Sequence, residues 1–283
     1  MKLGDFEIRL VNGGNFRLDG GAMHGVVPKT IWSKLVSCDD QNRCSYATNC
    51  LLVAGRGRRV LIETGNGDKF SAKERDIYGI DHDRSIVKNL DDLGVAADSI
   101  DYVLMTHLHF DHSGGTTVRQ GESVRPVFAR ARHVIQRQEL HDALHPHERN
   151  RASYLPENFQ PLLDAGLVDA VDGEHEVVPG ISVLPTPGHT RGHQSILLDD
   201  GHGQRVLFLG DVVPTAHHCR LPFIMAYDLD VVGTLETKRA LFARALAERW
   251  LLVFGHDLET RAGYLHLDKK GQYAIGEAVT LDA

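Results

Sequence analysis

Between Thr106 and Gly115 the chain reads Thr-His-Leu-His-Phe-Asp-His-Ser-Gly-Gly. His107, His109, Asp111 and His112 form an H-x-H-x-D-H cluster, with four metal-competent side chains inside six positions. Imidazole and carboxylate both suit divalent metals such as zinc. A turn with this spacing can aim two imidazoles at one ion, and a carboxylate plus an imidazole at a second. Structural zinc sites favour closed, cysteine-rich tetrahedra, whereas hydrolytic sites use His and carboxylate and keep one position for water. The cluster therefore predicts a catalytic centre.

Three later positions repeat one local setting. His189 lies in Thr186-Pro187-Gly188-His189-Thr190, Asp211 follows the run Val206–Leu209 and Gly210, and His256 follows Leu251–Phe254 and Gly255. Each caps an apolar strand pattern, beside a glycine that lets the backbone turn sharply. Any one alone reads equally well as a hydrogen-bonded loop residue; as a set with 107–112 they read as ligands. His193, four residues after His189, is expected to support a ligand or the core rather than to bind metal. His141, His145 and His147 fall in the polar stretch Gln136–Tyr154, which reads as a solvated insertion near the site mouth, helical around Gln138–Ala143.

The elements that must position these groups are legible from periodicity. Phe6–Val11 alternates as a strand, and Asn12-Gly13-Gly14-Asn15 is a turn signal. Asn49–Ala54 and Arg59–Ile62 read as strands joined through Gly55-Arg56-Gly57. Ser85–Leu93 has helical spacing and stops at Gly94. Tyr102–Met105 is a short buried strand that delivers the histidine cluster on the loop beyond it. In the second half, Val127–Ala129, Ile181–Leu184, Gln194–Leu198, Val206–Leu209 and Leu251–Phe254 read as strands, and Leu235–Trp250 as an amphipathic helix. No linker divides the chain, so one domain over 1–283 is expected, built from two β-rich halves with helices outside.

Length and composition bound the rest. A chain of 283 residues with 42% hydrophobic content can build a large α/β core. The net charge of −7, without a basic run, argues against a nucleic-acid partner. The start lacks an apolar leader segment and no stretch reaches the ~18 apolar residues of a membrane span. Cys38, Cys44 and Cys50 match no zinc-finger spacing and are expected to be buried free thiols; no neighbouring pattern marks Cys219 as a nucleophile. A soluble, reducing, cytoplasmic setting without membrane association is the expectation, with a homodimer left open.

With these residues in place, the chain resembles the metallo-β-lactamase-fold hydrolases over nearly its whole length. The resemblance implies an α/β fold, an αββα four-layer sandwich with a dinuclear site at one edge. It implies that His107, His109 and His189 hold one divalent ion, that Asp111, His112 and His256 hold the other, and that Asp211 bridges them. Zinc is the first expectation, with Mn, Fe or Co as alternatives. Two such ions ~3.5–4 Å apart share a hydroxide that attacks a carbonyl or phosphoryl centre, so no serine or cysteine nucleophile is needed. Asp111 is the expected proton carrier to the leaving group. Aspartate at 211 resembles the glyoxalase II, lactonase and phosphodiesterase side of the family, since zinc β-lactamases tend to carry cysteine there. His109 and His112 separate the chain from the redox-iron branch. Glu63-Thr64-Gly65 stands where the family usually shows Asp-Thr-Gly, and Glu63 is expected to hydrogen-bond a ligating imidazole.

Within the family, Asp19–Lys29, Thr186–Ser195 and Phe254–Asp257 resemble lactonases that open N-acyl-homoserine lactones, enzymes of quorum quenching. Met23, His24, Val26, Val27, Phe110, Leu221, Phe223 and Ile224 are the expected acyl-chain pocket, with the segments Met23–Val27 and Leu221–Tyr227 facing each other across the metals. Pro214 stands where well-known lactonases of the group place a tyrosine, so Tyr227 or His24 is expected to assist at the carbonyl. A small ester or lactone is the expected substrate. The alternatives are an organophosphate or phosphotriester hydrolase, another ester or thioester hydrolase of the fold, and a metal-binding sensor on an inactive scaffold.

Overall fold

The computed structural model describes residues 1–80 and 84–281. The first half runs β1 (Lys2–Leu3), β2 (Phe6–Asp19), α1 (Gly20–His24), α2 (Lys29–Trp32), β3 (Arg43–Gly55) and β4 (Arg58–Ile62). It continues through α3 (Ala72–Tyr78), α4 (Ile86–Asp92), β5 (Tyr102–Leu104), α5 (Phe110–Ser113) and the hairpin β6 (Thr117–Gln120) and β7 (Ser123–Pro126). β8 (Arg132–Gln136), α6 (Arg137–Leu144), α7 (Pro156–Asp164) and β9 (Val168–Val171) complete it. The second half comprises β10 (His175–Val178), β11 (Ile181–Pro185), β12 (Gln194–Asp199), β13 (Arg205–Phe208), α8 (Val231–Ala247), β14 (Leu251–Val253), β15 (Ala262–Leu267) and β16 (Tyr273–Ala278).

Two seven-stranded sheets result, ordered β1-β2-β3-β4-β5-β8-β9 and β10-β11-β12-β13-β14-β15-β16. Parallel pairing occurs where a helix makes the crossover: α4 between β4 and β5, and α8 between β13 and β14. The inner faces close on each other through Ile8, Val53, Val60 and Leu104 from one sheet and Val183, Ile196, Phe208 and Val253 from the other. Outside the first sheet, Leu61 and Val103 pack against Ile86 and Leu90 of α4 and Phe159 of α7. Outside the second, Leu207 and Leu252 pack on Leu241, Phe242 and Ala245 of α8. The buried positions of α8 (234, 238, 241, 242 and 245) fall on one face at helical spacing. This is the αββα sandwich.

Local chemistry explains the boundaries. Ser85 caps α4 by accepting from the Lys88 N–H, and Gly94 beyond its end sits at φ 69°. Asn12-Gly13-Gly14-Asn15 is not a turn. β2 runs through it, with a register shift against β3 between Asn12 and Asn15. The glycine serves close approach: a Cβ on Gly13 would stand 2.7 Å from the Cα of Gly65. Val127–Ala129 is a bend rather than a strand, and the extended residues lie on either side of it, in β7 and β8.

The cysteines also depart from expectation. Cys38 and Cys44 form a disulfide where the start of β3 crosses the loop before it, while Cys50 and Cys219 are free and buried. The pair removes the thiol argument for a reducing compartment. Among the described residues no helix is long and apolar enough to cross a membrane.

Candidate metal centre

The strand ends of both sheets converge on one point. β5 delivers the loop bearing His107 and His109, which turns into α5 carrying Asp111 and His112. His189 follows β11, Asp211 sits in a tight turn after β13, and His256 follows β14. Gly210 permits that tight turn at φ 59°, and a Cβ there would stand 2.7 Å from His193 Nε2. The seven side chains form two groups. Potential ligand atoms of His107, His109 and His189 lie within 4.8 Å of one another, as do those of Asp111, His112, Asp211 and His256. All seven are buried, Asp111 being the most exposed at 7%.

The hydrogen bonds fix which nitrogen each ring presents. Glu63 Oε2 lies 2.8 Å from His112 Nδ1, the Ala47 carbonyl 2.8 Å from His256 Nδ1, and Asp228 Oδ1 2.9 Å from His189 Nδ1. Each partner is an acceptor, so each Nδ1 carries the proton and each Nε2 presents a lone pair inward. His112 Nε2 and His256 Nε2 then face each other at 3.2 Å, lone pair to lone pair. His189 Nε2 faces His109 Nδ1 at 3.1 Å, and His107 Nε2 is buried with no hydrogen-bond partner. Two facing lone pairs repel unless a metal ion or a shared proton stands between them. The residues fit a divalent metal at each group.

Asp211 faces both groups with one oxygen each. Its Oδ2 is 3.4 Å from His189 Nε2, and its Oδ1 is 3.0 Å from His256 Nε2 and 3.4 Å from His112 Nε2. Burial would raise its pKa, but the imidazoles of His256, His112 and His189 hold it well below the usual carboxylate range. Burial also works against a proton on His112, yet Asp211, Glu63 and Asp111 outweigh it and hold that ring well above the imidazole range. His107 and His109 are pushed well below that range, by burial first and by neighbouring imidazoles second.

Around this centre stand the orienting groups. Glu63 accepts from the Thr106 N–H at 2.6 Å as well as from His112, from a backbone with φ 67°. His193 accepts the Asp211 N–H on Nε2 at 3.0 Å, while Thr186 holds its Nδ1 at 2.8 Å. Burial lowers its pKa to about 3, with help from His189, so the ring stays neutral and can accept. Both residues thus hydrogen-bond to the seven-residue cluster, Glu63 to the His112 ring and His193 to the Asp211 backbone. Asp228 gave no such signal: it is an acid at the end of an apolar loop, and its partner is 39 residues away.

A cavity of about 320 Å³ opens onto both groups. Met23, Phe110 and Met225 form an apolar wall, Tyr227 and Arg149 a polar rim, and His109, Asp111, His189, Asp211 and His256 line its floor. The Gln136–Tyr154 insertion reaches the mouth through Arg149 and Asn150, while His141, His145 and His147 are exposed.

The pocket expected from the sequence needs correction at six residues. Val26, 88% exposed, and Leu221 line a separate groove of about 760 Å³, which also takes in Ile224 and shares Met225 and Ala226 with the cavity. The segments Met23–Val27 and Leu221–Tyr227 do not flank the centre. They pack on each other, as the Ala226 N–H donates to the Ala22 carbonyl at 2.8 Å and a Cβ on Gly25 would meet the Ile224 oxygen at 2.2 Å. The two segments therefore lie together on one side of the centre. Phe223 is buried behind the wall, and Ile224 and Val27 are likewise core residues there. His24 is buried, stacked on Trp32 at 4.9 Å with its Nδ1 on the Gly20 carbonyl, and does not line the cavity. Of the two groups considered for the tyrosine absent at Pro214, only Tyr227 lines the cavity. The Pro214 carbonyl accepts the His256 N–H at 2.9 Å and so holds that loop.

Comparison with known proteins agrees with this geometry. The family profile of the Metallo-beta-lactamase superfamily matches residues 46–256. A protein named N-acyl homoserine lactonase from Bacillus sp is 32% identical over 227 residues, 76% of this chain and 82% of that protein. The crystal structure of a probable metal-dependent hydrolase from Staphylococcus aureus superposes with a TM-score of 0.89 at 31% identity, covering 99% of this chain and all (100%) of that one. That of a quorum-quenching N-acyl homoserine lactone lactonase gives 0.72 at 25% identity, over 92% of this chain and 95% of its own. Strand-end ligands gathered at the edge of an αββα sandwich and a profile match across both halves have one explanation: the chain belongs to the metallo-β-lactamase superfamily and is a metal-dependent hydrolase.

Proposed function

We propose that this protein opens the ring of a lactone bearing an acyl-amide tail, of the N-acyl-homoserine lactone type, as one domain spanning the chain. The observation that carries the reading is the cavity, with an apolar wall beside a floor of two ligand groups. Relatives named N-acyl homoserine lactonase over most of the chain support it. His107, His109 and His189 would hold one divalent ion, Asp111, His112 and His256 the other, and Asp211 both; zinc is the preferred metal. Ions bound there polarise the carbonyl and lower the pKa of water toward ~7.

The chain's own residues do the rest. Met23, Phe110 and Met225 receive the acyl chain and exclude water, leaving the ring over the floor. Tyr227 directs its phenol at the carbonyl oxygen. Asp111 takes the proton from the attacking water as the new C–O bond forms. It returns that proton to the ring oxygen as the old C–O bond breaks, leaving a hydroxy acid.

A panel of acyl-homoserine lactones, a simple δ-lactone, paraoxon and a β-lactam tests the reading, alongside metal analysis. The expected result is two ions per chain and the highest kcat/KM on an acyl-homoserine lactone. Asp211→Ala should abolish most of that activity and the exposed control His145→Ala should keep it. Paraoxon cleaved well with every lactone cleaved poorly would replace the reading with phosphotriester hydrolysis.

A further inference from the structure

Glu139 is a carboxylate with no exposure at all, on α6, far in sequence from every ligand. Among the described residues no lysine or arginine pairs with it. Three neutral donors converge on it instead: the Leu108 N–H at 2.9 Å and the Tyr154 hydroxyl at 2.8 Å on Oε1, and the Thr190 hydroxyl at 2.6 Å on Oε2. Leu108 is the residue between His107 and His109. Thr190 follows His189. The Tyr154 ring stands edge-on to His109, with centroids 4.8 Å apart. A single buried carboxylate thus grips the backbone or a neighbour of all three histidines in one group.

The packing agrees. A Cβ on Gly192 would stand 2.1 Å from the Glu139 nitrogen, so the His189 loop lies directly on α6. Arg191 of the same loop pairs with Asp142 of α6, Nε to Oδ2 at 2.9 Å. None of these bonds reaches the second group, which leans on Glu63, the Ala47 carbonyl and the His193 ring. The two groups also differ in charge. Asp111, Asp211 and Glu63 surround the second, whereas the carboxylates facing the first, Asp211 and Asp228, both lie on His189.

We infer that Glu139 is the positioning residue of the three-histidine group: it holds the His107–His109 loop and the His189 loop in register and adds a buried carboxylate to the Asp211 and Asp228 that already face His189. The inference rests on the two-ion reading above. Outer partners of this kind typically change metal affinity by ~10–100-fold.

Metal-free parent, Glu139→Gln and Thr190→Val proteins are titrated with Co2+, read by ligand-field absorption and metal analysis, and melted without metal. Glutamine keeps the shape and an acceptor while removing the charge; valine removes one tether alone. The expected result for Glu139→Gln is one Co2+ held with parental affinity and a second held about 10–100-fold more weakly. Its metal-free Tm should match or exceed the parent's. Thr190→Val should weaken the same ion by a smaller factor. Two ions bound with parental affinity, or both weakened together, would overturn the inference. A parent that binds fewer than two ions would instead overturn the two-ion reading itself.

Discussion

Replacing Glu63 with glutamine asks whether hydrogen bonding sets the ligand atom of His112. Glu63 is 2% exposed and satisfies two buried donors, the Thr106 N–H at 2.6 Å and His112 Nδ1–H at 2.8 Å. An amide offers one acceptor oxygen. Its NH2 must therefore face either Thr106 or His112, and in both cases two donors meet. The ring has one escape, which is to move its proton to Nε2 so that Nδ1 accepts from the amide. That nitrogen is the one facing Asp211 and His256, so the escape gives up the lone pair a metal needs. An unsatisfied buried donor costs ~1–3 kcal/mol, or about 5–150-fold in an equilibrium constant. We expect Glu63→Gln to bind one of two ions about 10–100-fold more weakly, within the range known for outer partners. Competition between metal-free protein and a chelator of known affinity measures this directly. With metal in excess, kcat/KM should recover in part. Parental affinity for both ions together with unchanged kcat/KM would show that the carboxylate merely fills space.

Three further outcomes follow from the placement of side chains. Phe110 lines the cavity, so Phe110→Ala should flatten the rise of kcat/KM with acyl length, a rise of up to about fourfold per methylene at ~0.8 kcal/mol each. Phe223→Ala, behind the wall, should keep that slope and lose stability instead, on the order of 3–5 kcal/mol in chemical unfolding. Lys238 is buried with its Nζ donating to the carbonyls of Arg220, Leu221 and Phe223, and burial lowers its pKa to about 8 from 10.5. Between those values the unfolded chain binds more protons than the folded one, so this group adds stability as pH rises through the window. Lys238→Met should remove that increment, read as a smaller gain in unfolding free energy from pH 8 to pH 10.

The legible part of the candidate site is the part whose setting is local in sequence. The H-x-H-x-D-H cluster, the strand-end positions 189, 211 and 256, and the partners Glu63 and His193 all carry a local signature of apolar run, glycine and polar residue. Glu139 and Asp228 carry none, because a buried acid is recognisable only by the donors around it, and those arrive from 15 to 51 residues away in sequence. Gly13-Gly14 misled for a related reason. Glycine marks both turns and close approaches, and here the approaching backbone is that of Gly65, which periodicity cannot show. Val26 and Leu221 were placed on the right segments but on the wrong side, since apolar character says nothing of which face of a loop meets the metals. The Cys38–Cys44 pair depends on a crossing of loop and strand start that spacing alone leaves open.

Neither ligand group belongs to one sheet. The loop after β5 supplies His107, His109, Asp111 and His112, whereas the second sheet's strand ends supply His189, Asp211 and His256. A growing chain released from the ribosome as far as β9 therefore exposes four of these side chains with nothing to close either group, and the set is complete only when residue 256 has emerged. Neither group can be completed before the two sheets have docked. An ion that arrives early finds half a cage, and an ion that arrives late clasps the N-terminal and C-terminal halves of the molecule together. Truncation or circular permutation between β9 and β10 would turn the centre into a reporter of whether those halves have met.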